Sequence, residues 1–190
     1  MAPWRFKRIL KFLKNYAEWL AVILSLAFTY FLGEEYRWSW FFGFAASSIY
    51  FFLVWKKGLL AESFLHLFYL VMALIGWVNW GSDSGIILNE PLSLSTHIVL
   101  ISLGIILTLS TSAILKKKTK AKTPYVDSFT TVFSIIGTLL MISYFRENWL
   151  YWIVVDLVSI YLYALRKMWP TVVLFVLYTL LAFNAYHQWQ

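Results

Sequence analysis

The chain has 190 residues, of which 61% are hydrophobic, 21% aromatic and only 13% charged, with a mean hydropathy of +0.70 and a formal net charge of +7. Soluble domains carry about 25% charged residues, so this composition describes an integral membrane protein with little left over for a soluble domain. The absence of cysteine excludes a disulfide framework, a thiolate nucleophile and a Cys-ligated metal.

A membrane-crossing helix takes about 20 mostly apolar residues. Before the first such run, residues 4–14 (WRFKRILKFLK) interleave five basic side chains with Trp4, Phe6, Ile9, Leu10, Phe12 and Leu13. That pattern suits an amphipathic helix lying on the cytoplasmic surface, or a basic anchor that fixes orientation. The basic-then-apolar order is that of a signal peptide. Glu18 interrupts it, however, and no small-x-small cleavage site follows, so a retained first helix is expected. The expected spans are 16–32, 38–55, 58–80, 96–115, 125–144, 148–165 and 169–188, joined by short connections.

Along the third span Glu62, His66, Tyr69, Ala73, Trp77 and Trp80 recur at spacings of three or four and share one face. The fourth span ends in a lysine-rich run, KKKTKAK, and Asp127 stands where it can cap the fifth. In the sixth, Trp149, Trp152 and Asp156 lie at roughly 0°, 300° and 340° around a helix, a stripe that Ser159 and Tyr163 extend. The second span adds Ser47, Ser48 and Tyr50, and the seventh Tyr178, Asn184 and His187.

The positive charge reads as topology. With seven spans, 14 of the 16 basic residues fall on one side, and only Arg37 and Arg146 on the other. Basic residues stay in the cytoplasm, which puts the N-terminus inside. The charge is therefore assigned to orientation and anionic lipid contact rather than to nucleic acid.

Residues 38–57 match 149–168 at a shift of 111, which sets Trp38 on Trp149 and Ser48 on Ser159. Two similar triplets, helices 1–3 and 5–7, then flank a connecting fourth helix, and the odd connector makes the repeat parallel, a plan common in transporters. The expected fold is an all-α membrane protein with a parallel 3+1+3 repeat. Its divisions are a cytoplasmic segment 1–15, a first triplet 16–95, a connector 96–124 and a second triplet 125–190.

A charge at mid-membrane costs about 2.5–3.5 kcal/mol on insertion scales and survives when it faces a cavity or a partner. No basic residue is expected at the depth of Asp156. Trp faces attract cations and stack flat rings, so Trp planes with a buried acid suit a cationic aromatic substrate. The expected substrate-binding residues are Asp156, Trp152, Trp149, Trp77, Trp80, His66, Glu62, Tyr69, Asn184, Tyr178, Ser159 and Ser48. Simpler roles exist for several: an interfacial aromatic belt for the four Trp residues, a hydrogen-bonded core place for His66, pairing with Lys56 or Lys57 for Glu62. No span interior carries Lys or Arg, so a phosphorylated ligand meets no fixed cation and an unphosphorylated substrate is expected. Retinal attachment would need a lysine in the last span, which has none, and a haem would need paired His at depth. A membrane hydrolase would need a placed base beside Ser159. No cofactor, metal or enzymatic activity is expected; a non-transport seven-helix protein is the remote alternative.

GWVNW at the end of the third span, PYVDSFTTVFSIIGTLL in the fifth and ENWLYWIVVDLVSIYLYAL in the sixth resemble the Pnu family of bacterial vitamin transporters, over most of the chain from the second span onward. The resemblance implies a fold like that of the SWEET sugar transporters in the opposite orientation, residence in the bacterial inner membrane and a homotrimer. It also implies facilitated diffusion, with a cytoplasmic kinase trapping the vitamin. Nicotinamide riboside members have Asn where this chain has Asp156, and amides where it has Ala46, His66 and Ala73. Those departures favour thiamin, whose aminopyrimidine and thiazolium both suit a carboxylate, with nicotinamide riboside as the alternative. Alternating access is expected, with the triplets rocking about a central site, outer closure at the Trp residues and inner closure near Glu62.

Overall fold

The computed structural model describes residues 3–56, 60–80, 89–118, 123–165, 167 and 169–189; the side chains of residues 3–15, 60–62, 118 and 170 fall outside that description. Seven helices follow in order: α1 (Pro3–Gly33), α2 (Ser39–Trp55), α3 (Leu60–Asn79), α4 (Leu94–Lys118), α5 (Pro124–Ile142), α6 (Asn148–Leu165) and α7 (Trp169–Gln188). Five contain stretches long and apolar enough to cross a membrane, in α1, α4, α5, α6 and α7. The apolar stretches of α2 and α3 are slightly shorter.

The chain divides into two compact units, Met1–Gly81 and Ser82–Gln190. In the first, α2 packs against both α1 and α3. In the second, α4 packs on α5, α5 on α6 and α6 on α7. The core of the second unit is Val132, Phe133, Ile136 and Leu140 of α5 against Tyr151 and Val155 of α6, with Phe129 stacked on Phe133 at 4.4 Å. By contrast, α4 leaves Ile98, Val99, Ile101, Leu103, Ile105, Ile106 and Leu109 exposed, as befits a helix whose solvent is hydrocarbon.

Helix ends have local causes. Pro124 begins α5, where its missing N–H costs nothing, and the Asp127 carboxylate accepts a hydrogen bond from Thr123 Oγ1 at 3.2 Å. Asp127 thus belongs to the start of α5. α1 and α5 both stop in a left-handed residue that is not glycine, Glu35 at φ 60° and Tyr144 at φ 59°. Around each, two backbone bonds close the end: Tyr36 N to Phe31 O with Glu35 N to Leu32 O, and Phe145 N to Leu140 O with Tyr144 N to Met141 O. This is the Schellman arrangement, built without the glycine that usually relieves it.

These two helix ends are 109 residues apart, and the offset recurs. Trp40 meets Trp80 edge-on at 5.2 Å and 84°, and Trp149 meets Trp189 edge-on at 5.4 Å and 82°. Arg37 lies over the Trp77 ring, and Arg146 over the Tyr186 ring. His66 meets Tyr69 edge-on, and Phe175 meets Tyr178 in the same way. Matching local geometry thus runs at 109, not at the shift of 111 suggested by sequence. A slip of two positions rotates a helix face by about 200°. It therefore exchanges partners: Trp149 corresponds to Trp40 rather than Trp38, and Ser159 to Tyr50 rather than Ser48.

Candidate functional site

In the second unit the buried face of α6 carries Asn148, Trp149, Tyr151, Val155, Asp156, Ser159 and Leu162. Trp149 turns toward α7, where it meets Trp189; both are buried, and Trp149 Nε1 has no hydrogen-bond partner. Trp152 turns the other way and lies over Gly137 of α5, where a Cβ would stand 3.3 Å from its Nε1. The two rings expected to share one stripe thus diverge onto opposite neighbours.

Asp156 stands one turn beyond Trp152, 4% exposed. Among the described residues, no hydrogen bond or ion pair reaches its carboxylate. A carboxylate left this way is costly in apolar surroundings. Ser159, buried one turn further along, continues this face. On α7, Tyr178 packs edge-on against Phe175, which stacks on Tyr163 at 5.3 Å. Asn184 does not join this group: it is exposed beside Leu180 and Phe183, while α7 turns Ala182 and Ala185 inward.

The first unit holds the other expected residues. His66 stacks on Tyr50 at 5.2 Å and 16°, and meets Tyr69 edge-on at 5.8 Å. Its buried Nδ1 has no hydrogen-bond partner, so the hydrogen-bonded core role does not hold for that atom. Trp80 is 1% exposed against Trp40, and Trp149 is 2% exposed. Neither sits in an interfacial belt. Trp77 is already engaged: Arg37 Nε donates to its carbonyl at 2.7 Å, the guanidinium lies 4.9 Å from the ring centroid, and Trp38 packs edge-on at 5.0 Å. Ser48 donates to Phe44 O of its own helix at 2.8 Å, which leaves Ser39 and Ser47 as the buried hydroxyls of α2, and Ser47 is the one at the offset of 109 from Asp156. The Glu62 side chain lies outside the described residues.

Trp40, Trp189 and Gly137 carry no mark in the sequence that singles them out. Their signal is a partner about 40 residues away, or an offset of 109, neither of which one-helix periodicity reveals. A groove of about 330 Å³ between α4 and α5 is lined by Leu100, Leu103, Leu107, Ile135, Leu139 and neighbours, with Ser143 as its polar contribution. It suits an acyl chain rather than a charged solute. Among the described residues, no three His, Asp or Glu side chains come together as a metal site.

Residues 15–190 match the family model described as nicotinamide mononucleotide transporter. The chain is 28% identical over 161 residues to the nicotinamide riboside transporter PnuC of Haemophilus influenzae, covering 80% of this chain and 69% of that one. It is 24% identical over 198 residues to the PnuC of Neisseria mucosa, covering 94% and 74% respectively. The crystal structure of the vitamin B3 transporter PnuC superposes with a TM-score of 0.76 at 22% identity, over 92% of this chain and 80% of its own, a likeness of fold. A family match over nearly the whole chain, with relatives named as transporters rather than enzymes, identifies this chain as a member of the Pnu family, a multi-pass vitamin transporter of the bacterial inner membrane.

Proposed function

We propose that the chain carries nicotinamide riboside inward, unphosphorylated and by facilitated diffusion. The observation that carries this reading is the pairing of an unpartnered buried carboxylate, Asp156, with an indole one turn away, within a family whose matched relatives bear that substrate in their names. The thiamin preference is withdrawn. It rested on Asp156, His66 and two alanines, but nicotinamide riboside is also a flat aromatic cation, and a carboxylate can accept from its carboxamide N–H or ribose hydroxyls as readily as from an aminopyrimidine. The family description names the mononucleotide. The absence of Lys and Arg from the span interiors speaks for the dephosphorylated form.

In this reading Asp156, Trp152 and Ser159 meet the substrate on α6, with Trp149 supporting from behind. Tyr178 of the same unit stays a candidate, as do Glu62, His66, Tyr69, Trp77 and Trp80 within the first unit. Ser48 is given no part, since its hydroxyl bonds to its own helix; Asn184, which is exposed, stays a candidate. The offset of 109 supports a parallel 3+1+3 repeat, SWEET-like in plan, and the basic residues support a cytoplasmic N-terminus. A homotrimer, a cytoplasmic kinase as trap, and divisions at 16–95, 96–124 and 125–190 complete the proposal.

Proteoliposomes holding the purified protein test it. Labelled nicotinamide riboside should equilibrate without a proton or sodium gradient, with unlabelled riboside competing and the mononucleotide and thiamin failing to compete. Preferential uptake of thiamin, or competition by the mononucleotide, would contradict it.

A further inference from the structure

Within the first unit α3 packs on α2 and not on α1, and within the second α7 packs on α6 and not on α5, among the described residues. The third helix of each triplet is therefore held along one side only. At one end a second attachment exists in both. Arg37, in the turn before α2, donates Nε–H to Trp77 O at 2.7 Å and lies 4.9 Å over the Trp77 ring. Arg146, in the turn before α6, donates to Tyr186 Oη at 3.1 Å and lies 4.5 Å over the Tyr186 ring. Both contacts span 40 residues, and they recur at the same offset of 109 as the two helix ends. Arg37 and Arg146 are also the two basic residues that the topology count leaves apart from the other fourteen.

Charge placed against the usual bias, and twice at equivalent positions, needs a reason. A guanidinium can stack on an aromatic face and donate from the same plane, which a lysine cannot do. We infer that Arg37 and Arg146 are positioning residues for transport: each fastens the turn before the middle helix to the end of the third, so that every triplet swings as one body. The inference rests on the transport reading above. Neither arginine touches the substrate in this account. Loosening the fastening lets the third helix lag behind the second, which slows the access change and leaves affinity intact.

The chain contains no cysteine, so Arg146→Cys/Tyr186→Cys introduces the only thiols. Three quantities are read on the intact protein: riboside uptake rate, riboside affinity by calorimetry, and amide exchange over residues 183–189. Without a cross-linker, uptake should fall about tenfold, the effect of losing one charge-assisted hydrogen bond, while affinity holds within about twofold. Exchange over 183–189 should rise. Bridging the thiols with a short reducible bis-thiosulfonate should restore rate and protection together, and reductant should undo both. Tyr186→Phe, which keeps the ring and loses the hydroxyl acceptor, should lower the rate by about twofold only. Affinity falling in step with rate would overturn the inference, because the arginine would then act on the ligand. So would a bridge that restores protection but not rate. If the unaltered protein takes up no riboside, the transport reading fails instead, and the exchange arm still decides whether the fastening holds α7.

Discussion

Within α1–α3 and within α5–α7 several local contacts recur at an offset of 109, while the residues set around them differ. In the first, Phe28 of the outer helix fills the space over Gly43 of the middle helix, where a Cβ would stand 2.8 Å from the phenyl ring. In the second the sizes are exchanged: position 137, the counterpart of Phe28, is glycine, and position 152, the counterpart of Gly43, is the Trp that fills it. Likewise Ser47 answers to Asp156, and His66 to Phe175. The lesson is that packing volume is kept while chemistry moves. The middle helix of the second triplet holds both the acid and a large ring, and the middle helix of the first holds a small hydroxyl and a gap filled from outside.

Moving residues between equivalent positions breaks or sharpens that comparison. The largest effect expected is from Ser47→Asp, which adds a second buried acid and should destabilise the protein by about 3 kcal/mol, the insertion cost of a mid-membrane charge. The reciprocal Asp156→Ser should leave the melting temperature unchanged or higher while weakening riboside binding by about tenfold or more; equal destabilisation by both would mean that the two positions are not distinguished by function. Next is Gly76→Ala. A Cβ there runs into the Trp40 indole, whereas the counterpart in the other triplet is Ala185, which already carries one. Overpacking should cost about 2 kcal/mol in thermal melts, and Ala185→Gly less than about 1 kcal/mol. Gly137→Ala comes third, because Trp152 needs to yield by only a few tenths of an ångström. A loss of about 1 kcal/mol is expected, together with a shift in tryptophan emission. Smallest is Ser48→Ala, within about 0.5 kcal/mol and without effect on uptake, since its hydroxyl bonds only to its own helix.

Helix number was legible because hydropathy over about 20 residues reports length directly, but α1 runs unbroken from Pro3 to Gly33 where a span at 16–32 and a separate surface segment before it were expected. The span expected at 148–165 coincides with α6, and that expected at 169–188 with α7. Side-chain partners were not legible to the same degree. Trp80 and Trp149 share periodicity with belt residues, and only their mates, Trp40 and Trp189, reveal them as buried. The expected shift of 111 stands two residues from the 109 at which the local contacts recur. Aromatic helices tolerate several alignments, whereas the left-handed turns at Glu35 and Tyr144 admit one. Asp156 was found because charge in an apolar run stands out alone. Gly137, which seats Trp152, carries no such mark. The family was legible from the paired Trp motifs; the preference for thiamin was not supported, because two cationic aromatic vitamins ask much the same of one carboxylate.

The central claim is that Asp156 meets the substrate, and calorimetry of nicotinamide riboside with the purified protein tests it most directly. The account predicts saturable binding that Asp156→Asn weakens by about tenfold, the loss of one charge-assisted contact, with the melting temperature preserved. Binding that is unchanged or tighter in Asp156→Asn would contradict it, and would assign the acid to the frame of the second triplet rather than to the substrate.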